Sequence, residues 1–299
     1  MTVLITGGGG FLGAWIIKRL HARGIEVRVL DLSNDRSTTR EIIGGEADRL
    51  DWHRGDVASP DDVTKASKGC DFVIHLAALL TPACIENPIL GAQVNLIGTL
   101  NVFEAAKTNG LSGVTYASSA AVFGPGDGET PCPTTHYGAY KLACEGAARA
   151  YWLEAGVPSV GYRPLVVYGP GRDIGLTAGP SIACRKAARG KSYTIGFSGA
   201  TDMIFVDDVA AAFEAAVVQP FKGAHAFSLV GEMVEVADIA AAIKKVAPDA
   251  EISFEGPPIP VHPNIIPGAV EKLLGALPHT SLTDGIRRTV THYQVDCHD

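Results

Sequence analysis

The chain has 299 residues, which is enough for two domains or for one large α/β unit with an appended region. Its net charge of −7, without a long basic run, argues against a surface that binds nucleic acid or anionic membranes. A hydrophobic fraction of 46% and a charged fraction of 19% are typical of an ordered globular protein.

Location and metal content can be judged from short patterns. The first apolar run, Val3-Leu4-Ile5, stops at Gly7 and is too short for a signal peptide or a membrane-spanning helix, so we expect a cytoplasmic protein. The six cysteines form no C-x-x-C pair and are interpreted as reduced thiols. The nine histidines show no ligand spacing, which predicts that the protein holds no metal.

Short β-branched segments alternate with longer helical segments through the first half of the chain. This alternation predicts a doubly wound parallel sheet, the Rossmann fold, for residues 1–168. Its strands are apolar throughout, as expected for a sheet covered on both faces. The predicted strands are 3–6, 27–31, 71–75, 113–118 and 159–164, and the predicted helices are 11–23, 93–108 and 137–155.

A glycine-rich stretch at 168–179 interrupts this alternation and marks the predicted domain boundary. Residues 169–299 are then expected to form a smaller substrate-binding domain, with 202–230 packing back on the Rossmann domain. The predicted elements of this half are helices at 180–189, 208–218 and 282–293 and a strand at 224–230.

The strongest local motif, residues 6–13, follows the first strand and begins the first helix. Gly7, Gly10 and Gly13 are spaced three apart, which permits a tight turn, a close approach to a pyrophosphate and close packing of the helix on the strand. Asp31, at the end of the second strand, can accept both ribose hydroxyls of NAD and would repel a 2′-phosphate. Leu32 supplies no cation to reverse that preference. The motif therefore predicts NAD rather than NADP as cofactor.

A second constellation combines Tyr137 and Lys141 with Ser118 and Ser119 upstream. Residues four apart share a helix face, so the Tyr137 hydroxyl and the Lys141 ammonium can point into one cleft. The ammonium favours the phenolate, and Tyr137 can then exchange a proton with a carbinol while a nicotinamide exchanges the hydride. Ser119 would hydrogen-bond the same oxygen.

With both of these motifs, the chain resembles the extended short-chain dehydrogenase/reductase family, which includes sugar-nucleotide epimerases, dehydratases and dehydrogenases. The resemblance covers nearly the whole length. The matching segments, in the family's order, are 6–13, 55–57, 75–78, 94–99, 117–124, 137–141, 163–171, 204–210 and 280–287.

The resemblance implies that Ser119 and Tyr137 are the catalytic hydroxyls and that Lys141 binds the nicotinamide ribose. It also implies a homodimer formed through helices 93–108 and 137–155. Together, the motifs and the resemblance predict these cofactor-binding residues: Gly7, Gly10, Phe11, Leu12, Gly13, Asp31, Asp56, Val57, Leu76, Ala77, Ala78, Tyr137, Lys141, Pro164 and Val166. Two other conspicuous residues are assigned structural roles, Asp208 as a helix cap and His75 as a hydrogen-bonded core histidine.

Two departures from the family concern the substrate. Sugar-nucleotide enzymes of the family usually carry an Asn and an Arg that hold the diphosphate, where this chain has Val166 and Thr201. Losing a donor and a cation should weaken diphosphate binding, unless Arg172, Arg185 or Lys191 compensates. These departures favour a sugar, sugar acid, polyol or small hydroxy acid as substrate.

The leading hypothesis is therefore an NAD-dependent dehydrogenase or epimerase that acts on the carbinol of a small molecule. A nucleotide-sugar 4-epimerase is the first alternative, and a non-catalytic NAD-binding sensor or scaffold is the second. A dehydratase ranks below the other enzymes, because 120–121 and 138–139 offer no additional acid/base pair beside the tyrosine.

Overall fold

The computed structural model describes residues 1–295. Within that range the five cysteines are free thiols, whereas Cys297 lies outside the described residues. None of the helices in this range is long and apolar enough to cross a bilayer.

The strands of residues 1–295 are β1 Thr2–Thr6, β2 Glu26–Asp31, β3 Asp51–Arg54, β4 Phe72–His75, β5 Val114–Ala117, β6 Ser159–Arg163, β7 Val166–Tyr168, β8 Tyr193–Ile195, β9 Ala200–Phe205, β10 Ala224–Ser228, β11 Glu232–Glu235 and β12 Ile252–Phe254. Seven of them form a parallel central sheet in the order β10-β6-β5-β4-β1-β2-β3. Within it, β1 to β6 have the order of a doubly wound dinucleotide-binding fold, which confirms the predicted fold class. Two small sheets, β11-β9-β7 and β12-β8, lie beyond it.

Helices cover both faces of the central sheet. The predicted helix at 93–108 begins with a π-helical turn, Gln93–Ile97, before it continues as a regular α-helix. Two 3₁₀ turns, Gly44–Arg49 and Ala120–Val122, complete the helical segments. The α-helices of the described chain are α1 Phe11–Ala22, α2 Ser37–Ile43, α3 Pro60–Ser67, α4 Thr81–Glu86, α5 Pro88–Ala92, α6 Gly98–Asn109, α7 His136–Ala155, α8 Gly179–Ala187, α9 Val206–Val218, α10 Val236–Val246, α11 Val270–Leu274 and α12 Leu282–Val295.

The first strand shows why its sequence is apolar at every position. Val3 and Ile5 belong to a core cluster on one face of the sheet, whereas Leu4 belongs to a second cluster on the other face. Successive side chains of a strand point to opposite faces, and here both faces are covered by helices. All three side chains are therefore fully buried.

The second half of the chain contributes to both regions. β9 lies in a small sheet, whereas β10 extends the central sheet beside β6. α9 packs on α1, where the buried Glu214 pairs with Arg19 and Arg23. Residues 202–230 thus connect the small sheet to the Rossmann core.

The prediction that Asp208 caps a helix is wrong. α9 begins two residues earlier, at Val206, so Asp208 lies in its first turn. Its carboxylate accepts hydrogen bonds from the Thr280 backbone N–H at 2.6 Å and from Thr280 Oγ1 at 2.8 Å. Asp208 therefore fixes the segment before α12 instead of the start of its own helix.

Candidate functional site

The glycine turn between β1 and α1 is shaped by close backbone contacts. Gly7 has a φ of +69°, and a Cβ there would lie 2.7 Å from the Ala77 backbone nitrogen. A Cβ on Gly13 would lie 2.6 Å from the Gly8 carbonyl oxygen. Side chains are therefore excluded from this turn, and the backbone is open to a ligand.

The start of α1 is suited to an anion. Its N-cap is Gly10, and within the described chain no side chain caps the helix and no acidic residue stands in its first turn. The unpaired N–H groups and the helix dipole favour a negatively charged group at this end. The turn therefore fits the pyrophosphate of a dinucleotide.

Asp31 lies at the carboxyl end of β2, beside the glycine turn. Its Oδ2 accepts a hydrogen bond from Gly9 N–H at 3.0 Å, and its Oδ1 accepts one from Ser33 N–H at 3.1 Å. These bonds hold the carboxylate at the edge of the turn, while Leu32 beside it is 68% exposed. The position fits recognition of an adenosine ribose.

A continuous cavity of about 990 Å³ runs from the glycine turn to the start of α7. It is lined by these residues predicted from the sequence: Gly7, Gly10, Phe11, Leu12, Gly13, Asp31, Asp56, Val57, Leu76, Ala77, Ala78, Ser119, Tyr137, Lys141 and Pro164. The sequence-predicted cofactor and reaction residues therefore share one space.

Val166 is the exception among the predicted cofactor-binding residues. Its side chain is fully buried in β7, where it is paired with Met203, whereas its neighbours Leu165 and Val167 line the cavity. Alternate residues of an extended segment point to opposite sides, so Val166 points away from the cavity. Its side chain therefore belongs to the core, and the contact expected between the backbone of residues 164–166 and the nicotinamide stays a prediction.

The start of α7 presents Tyr137 and Lys141 to the cavity. Thr135 caps the helix by accepting a hydrogen bond from Gly138 N–H at 3.0 Å. Lys141 is almost fully buried, and its Nζ lies 5.6 Å from the centre of the Tyr137 ring. The ammonium donates a hydrogen bond of 2.6 Å to the Ala117 carbonyl oxygen at the end of β5. Lys141 is thus fixed within electrostatic range of the tyrosine.

The two adjacent serines have different surroundings. Ser119 Oγ accepts the Ala121 N–H at 3.2 Å, at the start of a short 3₁₀ turn that borders the cavity. Ser118 Oγ donates to Glu145 at 2.5 Å, and Glu145 is paired with Arg163. Of the two hydroxyls, that of Ser119 has no charged partner in the described chain and remains available to a ligand.

His75 lies behind this site as a structural residue. Its Nδ1 is 2.7 Å from Thr6 Oγ1, and its Nε2 is 2.9 Å from Thr99 Oγ1. Burial, assisted by the charge of Lys141, lowers the pKa of His75 to about 3. The side chain is therefore neutral at physiological pH, and the interpretation of His75 as a hydrogen-bonded core histidine is confirmed.

The far end of the cavity was not anticipated from sequence. It is lined by residues 172–177, by Phe197 and by residues 257–261, which are mostly apolar. Its polar side chains include Arg172, Asp173 and Thr177, and the sequence pointed to Arg172 only as one of three basic residues that could compensate for a missing cation. No group of three or more potential metal ligands lies together in residues 1–295.

Comparison with known proteins agrees with this geometry. The model of the NAD dependent epimerase/dehydratase family matches residues 3–237. The UDP-glucose 4-epimerase of Mycolicibacterium smegmatis is 30% identical over 315 residues, covering 98% of this chain and 99% of that protein. UDP-glucose 4-epimerase 3 of Oryza sativa subsp. japonica is 34% identical over 162 residues, but that match spans 43% of the rice protein and 48% of this chain.

Solved structures give the same result for the fold. The UDP-glucose 4-epimerase of Thermus thermophilus, in complex with NAD, has a TM-score of 0.82 and 28% identity, covering 98% of this chain and 99% of that chain. The Thermotoga maritima enzyme, solved with UDP-glucose, has a TM-score of 0.86 at 23% identity and supports the fold alone. The chain therefore belongs to the NAD-dependent epimerase/dehydratase family, and it is an NAD-dependent enzyme with NAD as its cofactor.

Proposed function

We propose that the protein is a nucleotide-sugar 4-epimerase that uses Tyr137 as its acid/base. The observation that carries this proposal is the position of Lys141 Nζ, 5.6 Å from the Tyr137 ring, in the cavity that begins at the glycine turn. The Mycolicibacterium smegmatis relative, which is aligned from end to end, bears that activity in its name and supports the same substrate class.

The residues of this chain divide the proton chemistry among them. The Lys141 ammonium stabilises a negative charge on Tyr137 Oη, which takes the proton from the hydroxyl of the sugar carbon. The Ser119 hydroxyl donates a hydrogen bond to the same substrate oxygen. NAD, when bound, supplies the hydride acceptor and then the hydride donor for the opposite face of the turned sugar. Tyr137 gives the proton back to the same oxygen, and the product is the epimer.

The two parts of the chain would supply different sides of this site. We propose that residues 1–168 hold the cofactor and that residues 169–299 form the substrate domain. This division is supported by the residues at the far end of the cavity, which come from 172–177, 197 and 257–261.

A second candidate is a dehydrogenase or epimerase of a smaller carbinol without a nucleotide. It is favoured by Val166 and Thr201, which stand where the family's diphosphate-binding pair is expected. The exposed fraction of Val166 is 0% and that of Thr201 is 1%, and neither lines the cavity. Sequence reasoning placed this candidate first, whereas the full-length relative favours the nucleotide sugar.

One assay separates these candidates. The NAD-loaded protein is incubated with UDP-glucose, and UDP-galactose is detected by proton NMR, while parallel samples contain free sugars, sugar acids and polyols. We expect UDP-galactose to form without net reduction of NAD. Reduced nicotinamide formed with a free carbinol, and no reaction with UDP-glucose, would favour the second candidate. Absence of reaction with every compound would contradict both.

We also propose that the protein is a homodimer formed through α6 and α7. Support comes from exposed apolar side chains on α7 and its neighbours, since Leu153 is 69% and Ile89 is 72% exposed. Light scattering after size-exclusion chromatography tests this. The wild type should have twice the chain mass and Leu153→Arg the mass of one chain, and a monomeric wild type would contradict the proposal.

A further inference from the structure

Arg172 is held rigidly in the wall of the cavity. Its Nη1 donates a hydrogen bond of 2.6 Å to the Val167 carbonyl oxygen, and its Nη2 donates one of 2.7 Å to Thr177 Oγ1. The guanidinium also lies over the Phe11 ring, 5.8 Å from its centre. Two contacts within the same segment and one with the start of α1 thus fix the position of this charge.

The charge of Arg172 has no counterion within the described residues. Other partly buried arginines are paired, Arg163 with Glu145 and Arg19 with Asp207. Arg172 makes no ion pair within residues 1–295, where its Nε is also buried without a hydrogen-bond partner. An unpaired cation in a partly dry site is unfavourable, unless a ligand supplies the missing negative charge.

The guanidinium is still charged at neutral pH and lines the same cavity as Tyr137. Burial lowers the pKa of Arg172 to about 10, whereas the electrostatic influence of the Tyr137 hydroxyl raises it. Arg172 and Lys141 are the cationic side chains among the described residues that line the cavity. Because Lys141 donates to Ala117 and lies beside Tyr137, Arg172 is the cation available to an anionic substrate.

We propose that Arg172 binds an anionic group of the substrate, a phosphate or a carboxylate, in the same cavity that Tyr137 lines. This inference rests on the proposed function only in taking the cavity as the reaction site. It places anion recognition on the 172–177 segment, away from the β7 and β9 positions occupied by Val166 and Thr201.

The start of α1 already offers its N–H groups to the cofactor pyrophosphate, so we take the substrate as the source of this anion. The Arg172 guanidinium lies over Phe11, the first residue of α1, and is therefore close to the pyrophosphate end of the cavity as well. A measurement of NAD affinity distinguishes the two sources of the anion.

The test compares Arg172→Met and Arg172→Lys with Arg189→Met in NAD-loaded protein. Arg189 is a suitable control because it is exposed just after α8 and does not line the cavity. Calorimetry measures binding of UDP, which carries a diphosphate, and of D-glucuronate, which carries a carboxylate. Circular dichroism checks that each variant is folded, and a separate titration measures NAD affinity.

We expect the wild type to bind at least one probe and Arg172→Met to bind it at least about tenfold more weakly, or about 1.4 kcal/mol. Arg172→Lys keeps the charge without the planar guanidinium group, so its affinity for the probe should lie between those of the wild type and Arg172→Met. This variant remains informative if the Met variant does not fold. Arg189→Met should match the wild type, and NAD affinity should be nearly unchanged in all variants. The probe that responds identifies the anionic group.

Three results would overturn the inference. The first is a wild type that binds neither probe, and the second is a set of Arg172 variants that bind the probe as tightly as the wild type. The third is a loss of NAD affinity with probe binding retained, which would assign Arg172 to the cofactor pyrophosphate. Because these measurements require no turnover, failure of the epimerase assay alone would contradict the proposed function and leave the role of Arg172 intact.

Discussion

The proposed cofactor side and the proposed substrate side of the cavity are built in different ways. The cofactor side consists of strand ends and one helix start, so that residues 6–13 and Asp31 occupy positions dictated by a local motif. The substrate side brings together 172–177, 197 and 257–261, which are far apart in sequence and mostly irregular. Spacing along the chain predicts the first kind of site, whereas only tertiary packing determines the second.

Replacement of Tyr137 should have the largest effect on turnover, because Tyr137 is the proposed acid/base and lies where the two sides of the cavity meet. We expect Tyr137→Phe to lower turnover by about 10²- to 10⁴-fold, the usual contribution of a general acid/base, and to leave NAD binding nearly unchanged. Steady-state kinetics and an NAD titration measure the two effects. Tyr140→Phe is the control, since the Tyr140 hydroxyl donates to the Pro88 carbonyl oxygen at 2.8 Å. Equal loss in both variants would remove the special role of Tyr137.

In the second half of the chain, Asp202 should make stability depend on pH. It is buried in β9, and burial raises its pKa to about 6, although the Gly231 N–H and then His279 act in the opposite direction. Between about pH 4 and pH 6 the unfolded chain loses this proton before the folded chain does. The free energy of unfolding should therefore fall by about 3 kcal/mol as pH rises through this range.

Asp202→Asn does not titrate and should remove that contribution, while its side-chain oxygen can still accept the Gly231 N–H. Urea unfolding at several pH values measures the difference. Asp249→Asn, at an exposed position, is the control and should follow the wild type. If the free energy of unfolding depends on pH in the same way in Asp202→Asn and in the wild type, burial does not raise the pKa of Asp202.

On the cofactor side, backbone contacts should make glycine replacement costly at one position and harmless at another. Gly13→Ala places a methyl group 2.6 Å from the Gly8 carbonyl oxygen, so the turn must shift, at a cost of about 1–3 kcal/mol and with weaker NAD binding. Gly146→Ala, in α7, would place its methyl group at least 4 Å from the neighbouring elements within residues 1–295 of the same chain and should stabilise the helix by about 1 kcal/mol. Thermal unfolding and NAD titration compare the two variants. Equal unfolding temperatures and equal NAD affinities would contradict the claim that Gly13 is needed for close backbone packing.

The smallest effect concerns cofactor preference. The wild type should prefer NAD, and Asp31→Ser combined with Leu32→Arg should move the ratio of NAD to NADP affinity toward NADP by about tenfold, or about 1.4 kcal/mol. Fluorescence titrations with both cofactors measure that ratio. Arg36→Met is a useful control, because Arg36 donates to the Ala47 and Asp48 carbonyl oxygens. A wild type that prefers NADP would contradict the interpretation of Asp31.

Sequence reasoning succeeded where one local pattern determines geometry. The apolar strands, the glycine spacing and the four-residue separation of Tyr137 and Lys141 predicted the fold and a set of residues that do share one cavity. It failed where a contact depends on distant partners. Asp208 binds Thr280, 72 residues away, and this contact has no signal in either local sequence.

The substrate side shows the same limitation. Val166 and Thr201 were identified by position in a family pattern, yet both side chains are buried, and Thr201 Oγ1 has no hydrogen-bond partner in the described chain. Introducing Arg at position 201 would place a charge in the core rather than rebuild an anion site. The unpaired state of Arg172 could be recognised only from the packed structure.

The most direct test of the central claim follows a labelled hydrogen. UDP-glucose deuterated at carbon 4 is incubated with the NAD-loaded wild type and with Tyr137→Phe, and the product is analysed by NMR and mass spectrometry. If the hydrogen is transferred to the cofactor and returned, the wild type should yield UDP-galactose that retains deuterium at carbon 4, and Tyr137→Phe should yield almost none. Formation of UDP-galactose that has lost the deuterium to water, or no UDP-galactose at all, would contradict the account.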